Sequence, residues 1–194
     1  VLGFAKIIKK RLDERIFPVL TPLAVDPGHP FPYISDLSLN LAVVVHDPAS
    51  GLRRFARVKV PPLLPRFVVM PDGERFVPLE QVIAAHLDTL FPGMEVDDTV
   101  LFRVTRDADF AISDEADDLL GAVEAQLRRR RFGDVVRLEV ENSAQKSVVA
   151  ELRGALGLAA RDVFRVSGLL DLTCLWQLLE LDRPDLRDVP WEPR

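Results

Sequence analysis

One cysteine, Cys174, is all the thiol chemistry that 194 residues offer. An internal disulfide and a multi-cysteine metal site are thereby excluded, and a reducing cytoplasm is the expected setting. Long apolar runs are also missing. None approaches the roughly 20 residues that a bilayer-crossing helix needs, so no membrane span is expected. The start of the chain mixes Lys6, Lys9, Lys10 and Arg11 with Phe4, Ile7, Ile8 and Leu12, and lacks the apolar stretch and cleavage site of a signal peptide. No Gly-rich loop ends in Lys-Ser or Lys-Thr, and no Gly-x-Gly-x-x-Gly follows a strand, so the common phosphate cradles are absent. Basic charge is not in excess either. Lys and Arg number 25 against 30 Asp and Glu, a net charge of −5. Domains that wrap nucleic acid show the opposite balance, so nucleic acid is not an expected partner, and any anion site must be a local cluster.

What is present is a globular composition, 48% apolar and 28% charged. Phe4, Ile7, Ile8 and Leu12 at spacings of three and four predict a helix over Leu2 to Arg15. The first residue is not Met and already sits in that pattern, which points to a piece of a longer chain. Pro18, Pro22, Pro27, Pro30 and Pro32 then interrupt any hydrogen-bonded ladder. The apolar residues between them make this stretch an ordered connector. It divides the chain into 1–32, a helix and Pro-rich junction, and 33–194, a second domain.

Strands are expected at Leu39 to His46 and Arg54 to Val60, joined as a hairpin by Asp47, Pro48, Ser50 and Gly51. Pro71-Asp72-Gly73 marks a second hairpin between Arg66 to Met70 and Glu74 to Val77. One continuous helix is expected from Pro78, with Leu79, Val82, Ile83, Leu87 and Leu90 as its stripe, ending at Phe91-Pro92-Gly93. Thr99 to Thr105 and Val135 to Val140 read as strands. Ser113 caps a predicted helix of about eighteen residues, and Asn142 or Ser143 opens another that Gly157 stops. A short strand at Val163 to Val166 and a helix at Leu172 to Leu179 complete the pattern. Early hairpins followed by alternating elements predict an α+β fold with a mainly antiparallel sheet and packed helices, preceded by one N-terminal helix.

Candidate anion-binding residues are Arg103, Arg106 and the run Arg128, Arg129, Arg130 and Arg131, since guanidinium forks suit phosphate oxygens. Asp114, Glu115, Asp117 and Asp118 begin the helix that the run ends, however. That arrangement complements the helix dipole, and four consecutive residues point around a helix rather than forming one patch. Arg103 and Arg106, with Asp107 and Asp109 nearby, either bind an anion or pair internally. His29, His46 and His86 lack the partners that a phosphate acceptor or a metal site needs, and no cation lies between Arg15 and Arg53. Cys174 among Leu172, Leu175 and Trp176 reads as a buried, inert thiol. Neither a catalytic nor a metal-binding residue is assigned.

The segment Phe17-Pro18-Val19-Leu20-Thr21-Pro22-Leu23-Ala24-Val25-Asp26-Pro27-Gly28-His29-Pro30-Phe31-Pro32 resembles the junction of bacterial polyphosphate kinases of the long, four-domain type. Further matches follow in order: Phe55-Ala56-Arg57-Val58-Lys59-Val60-Pro61, Phe76-Val77-Pro78-Leu79-Glu80, Leu90-Phe91-Pro92-Gly93, Phe102-Arg103-Val104-Thr105-Arg106, Arg130-Arg131-Phe132-Gly133 and Gly168-Leu169-Leu170-Asp171-Leu172. Asp107 stands where many relatives carry Asn. The resemblance implies a parent that moves the terminal phosphate of ATP to polyphosphate through a phosphohistidine, with magnesium. It implies that this chain is the end of the N-terminal domain plus a head domain of PX-like fold, which dimerises the enzyme and walls the substrate tunnel. ATP, magnesium and the phosphohistidine would then belong to other domains, this chain alone being inactive. Expected partners are those domains, a second copy of the chain and polyphosphate. The parent is expected in the cytoplasm, with membrane association left open. The alternative is an anion-binding module for polyphosphate or phosphoinositide.

Overall fold

The computed structural model describes residues 12–25, 30–107, 133–189 and 191, with the side chains of Leu12 and Asp13 excepted. The helix expected from Ser113, the Arg128–Arg131 run, His29 and most of the N-terminal helix lie outside the described residues; of that helix, Leu12–Ile16 forms one π-helical turn.

Valine-rich and alternating runs pair into a six-stranded sheet. Its strands are β1 (Pro22–Val25), β2 (Leu39–His46), β3 (Arg53–Lys59), β6 (Glu95–Arg106), β7 (Val135–Glu141) and β8 (Val163–Val166), in the spatial order β1-β3-β2-β6-β7-β8. All neighbours are antiparallel except β7 and β8. Parallel neighbours need a crossover, which α3 (Lys146–Ala155) supplies. A separate hairpin, β4 (Phe67–Val69) with β5 (Phe76–Pro78), leads into α1 (Leu79–Ala84) and α2 (Leu87–Leu90). The 3-10 turn Leu172–Leu175 and α4 (Trp176–Leu179) follow β8.

Because strand side chains alternate, the sheet has two buried faces. Leu39, Leu41, Val43, Val45, Val58 and Leu170 meet Leu79, Val82, Ile83 and Leu87 of α1 and α2 on the first face. Ala42, Val44, Phe55, Val100, Phe102, Val104, Leu138 and Val140 meet Val148, Val149 and Leu152 of α3 on the second. Burying one such side chain completely, as for Phe102, contributes about 1.5–3 kcal/mol. The expected turn chemistry is in place. Asp47 Oδ1 accepts the Ala49 N–H at 2.8 Å, its Oδ2 accepts the Ser50 hydroxyl at 2.7 Å, and Gly51 takes φ +69°.

Three expectations are corrected. The connector does join a ladder: Pro22–Val25 is strand β1, which among the described residues pairs with β3 alone and opens with Pro22, a position where a missing donor is tolerated. The helix expected from Pro78 is two helices, since His86 adopts φ −132° between α1 and α2 while its Nδ1 lies 2.9 Å from Val82 O. The apolar stripe continues across that break, which is why periodicity did not reveal it. The crossover helix starts at Lys146 rather than at Asn142 or Ser143, because the Asn142 N–H is committed to Val166 O at 3.0 Å.

Candidate functional site

Along β6, Val100, Phe102 and Val104 enter the second core, so Arg103 projects from the opposite face beside Leu101. Its Nη1 lies 3.7 Å from both Glu139 Oε2 on β7 and Asp171 Oδ1. Arg137, also on that face, places Nη2 2.8 Å from Glu139 Oε1 and stacks its guanidinium 4.1 Å from the Phe164 ring centroid. Arg103 Nε and Arg137 Nε are buried without a hydrogen-bond partner among the described residues. Such a group is expensive to bury, so this network holds the sheet imperfectly.

Next to it, Arg66 grips both oxygens of Glu80 at 2.5 Å and donates to Leu170 O at 3.1 Å. This is a bidentate pair between side chains only 10% and 4% exposed. Between these groups lies a cavity of about 350 Å³ with Leu37, Leu64, Arg66, Asp171, Cys174 and Gln177 on its walls. Leu37 and Asp171 adopt φ +56° and +59°, a region that side chains other than glycine rarely enter. Cys174 is half-buried rather than buried, and its thiol lies 3.1 Å from Asp171 O. Burial pushes that thiol up, and the nearby Arg66 charge opposes it only in part, so the neutral form prevails. The Gln177 amide accepts the Phe67 N–H at 3.1 Å and donates to the Phe67 carbonyl at 3.2 Å.

Arg106 behaves differently from Arg103. Three residues along a strand is an odd step, so Arg106 follows Val100, Phe102 and Val104 onto the second face, opposite Arg103. Its Nε donates to Ile34 O at 2.8 Å, its Nη1 to Gly133 O at 2.6 Å, and its guanidinium lies 4.1 Å from the Tyr33 ring centroid. Among the described residues Arg103 and Arg106 therefore share no partner and do not form one site. Of the histidines, His46 is held between Asp97 and Glu95 at 2.6 and 3.5 Å, and His86 caps α1. Among the described residues no group of three or more His, Cys, Asp and Glu could hold a metal ion.

Arg57 was not singled out by the sequence. It is 7% exposed in the middle of β3, and its Nε donates to Asn40 Oδ1 at 2.7 Å. Burial draws this guanidinium below its ordinary range. The signal available in the sequence was a pair of cations, Arg57 and Lys59, two apart in an otherwise apolar strand.

Such an arrangement defines an α+β domain whose charged groups chiefly hold its own strands and turns together. The model of the polyphosphate kinase middle domain matches residues 5–178, and the chain belongs to that family. It is 55% identical over 192 residues to a polyphosphate kinase of Synechocystis sp., covering 92% of this chain and 26% of the relative. It is 57% identical over 175 residues to one of Streptomyces coelicolor, covering 90% and 23% respectively. The chain thus spans about a quarter of the length of these curated relatives. The crystal structure of the Porphyromonas gingivalis polyphosphate kinase shares the fold, with a TM-score of 0.76 at 24% identity over 98% of this chain and 28% of that one.

Proposed function

We propose that this chain is the head portion of an ATP:polyphosphate phosphotransferase, where it positions the neighbouring domains, takes part in subunit pairing and walls the route of the phosphate chain. Phosphoryl transfer, with its ATP, magnesium and phosphohistidine, runs on groups in other parts of a cytoplasmic parent. The junction at 1–32 fixes the angle between the head, 33–194, and a helical neighbour. The observation that carries this reading is where the candidate cations go. Arg66, Arg103 and Arg137 pair with the domain's own carboxylates, and Arg106 with its own carbonyls. Transfer of a phosphoryl group needs cations free to steady it beside an acceptor.

The C-terminal surface supports the positioning role. Trp176 and Trp191 are 71% and 83% exposed, with Leu179, Leu186 and Val189 exposed in the same stretch. Apolar surface of this kind marks a place where another domain packs. The test is incubation of the 194-residue chain with ATP and magnesium, followed by mass spectrometry for phosphohistidine. No phosphorylated histidine and no ATP hydrolysis are expected. A stable phosphohistidine at any of the three positions overturns the reading.

A further inference from the structure

The second face of the sheet ends in a groove of about 250 Å³ between α3, the turn Ala160–Asp162 and β8. Its lining follows from two periodicities. Lys146, Val149, Ala150 and Arg153 recur at i, i+3, i+4 and i+7 and share one stripe of α3. Val163 and Arg165 stand two apart on β8 and share one side of that strand.

Among the described residues, the groove is lined by three cations and no carboxylate. Acidic side chains on the adjoining elements are engaged elsewhere. Glu151 pairs with Arg53 at 3.0 Å, Asp162 Oδ2 accepts the Ala159 N–H at 3.0 Å, and Glu141 Oε1 accepts the Leu101 N–H at 2.8 Å. Lys146 and Arg153 have no ion pair among the described residues. Arg165 Nη1 donates to Asn142 O at 2.9 Å and Ala144 O at 2.7 Å, which fixes the guanidinium while Nε and Nη2 keep no partner among the described residues. The first turn of α3 has no acidic residue, so its N-terminal amides add to the positive potential. Three like charges around one depression repel one another, and an anion relieves that repulsion.

Lys146 and Arg153 are seven residues apart, about 10 Å along the helix axis. A single phosphate is too small to touch both, whereas a chain of linked phosphates can lie between them with the anchored Arg165 fork alongside. We propose that the α3–β8 groove binds linear polyphosphate. The anionic chemistry stands on the groove itself, and the choice of polymer rests on the phosphotransferase reading.

The experiment titrates fluorescently labelled long-chain polyphosphate into the 194-residue chain at low salt, with orthophosphate, ATP and anionic lipid vesicles as separate arms. Polyphosphate is expected to bind, and Lys146→Ala with Arg153→Ala is expected to weaken it at least ~10-fold. The slope of log affinity against log salt should flatten by about 1–2 units in that variant. Ala150 is exposed on the stripe, and Ala150→Glu keeps a helix-favouring residue there while adding a carboxylate. That variant should unfold at the parent temperature and lose binding. The proposal is overturned by absence of polyphosphate binding or by unchanged affinity in both variants. It is equally overturned if orthophosphate or ATP displaces the polymer at equal phosphate concentration, or if vesicles bind and polyphosphate does not. A phosphohistidine on this chain would sink the non-catalytic reading and leave the groove result untouched, so the two failures are distinguishable.

Discussion

The two faces of the sheet treat positive charge in opposite ways. On the face that carries α1 and α2, Arg66, Arg103 and Arg137 each reach a carboxylate. On the face that carries α3, Arg57 reaches Asn40 alone among the described residues, and Arg106 and Arg165 reach backbone carbonyls. Lys146 and Arg153 reach nothing among the described residues, while the rim pair Arg53–Glu151 is the exception. The difference teaches that a count of arginines does not locate an anion site. The identity of each partner does. A carboxylate cancels the field of the guanidinium, whereas a carbonyl or amide orients it and leaves its charge in place.

Breaking a pair on the first face should give the largest effect. Glu80→Gln leaves the Arg66 guanidinium buried without its counter-charge, and about 3–5 kcal/mol of unfolding free energy should be lost. Chemical denaturation measures this, and a loss under about 1 kcal/mol would mean that the face does not depend on charge pairing. A middle-sized effect is expected from Asn40→Leu, which strips Arg57 Nε of its partner and should cost about 1–3 kcal/mol. Adding Arg57→Met should recover much of that loss, because the pair rather than the single charge is what burial penalises. Additive losses in this cycle would show that Arg57 is already solvated. The smallest change is expected from Glu139→Gln, at about 1 kcal/mol, since Arg137 is 43% exposed and screened by solvent. Its second readout sharpens the contrast. With Glu139 neutral, Arg103 and Arg137 should acquire salt-sensitive affinity for pyrophosphate, whereas the parent chain should show none at this face.

Much of the fold was legible in the sequence because it depends on local chemistry. The Asp47 to Gly51 turn and the Pro71-Asp72-Gly73 turn placed two hairpins, and the valine run placed the strand β2. The α+β class followed from the order of these signals. Elements set by tertiary demand were not legible. The break at His86 leaves the apolar stripe intact, and β1 forms because β3 has an open edge that a proline-containing segment can still occupy. Of the candidate cations, Arg103 and Arg106 were named for the right side-chain type, but stand three apart on one strand and so face opposite sides of the sheet and bond to different partners. The groove went unread for a simpler reason. Consecutive arginines draw the eye, while Lys146, Arg153 and Arg165 converge only once α3 crosses back to place β8 beside β7.

The amide of Gln177 mimics a strand neighbour for Phe67, giving and receiving one hydrogen bond as a peptide unit would. Through it α4 is tethered to the small β4–β5 hairpin, while Asp171, just before the preceding 3-10 turn, reaches Arg103 of the main sheet. The ribbon itself is held by the Arg66 bonds to Glu80 and to the Leu170 carbonyl, so α4, the hairpin and α1 form one mutually braced corner of the molecule.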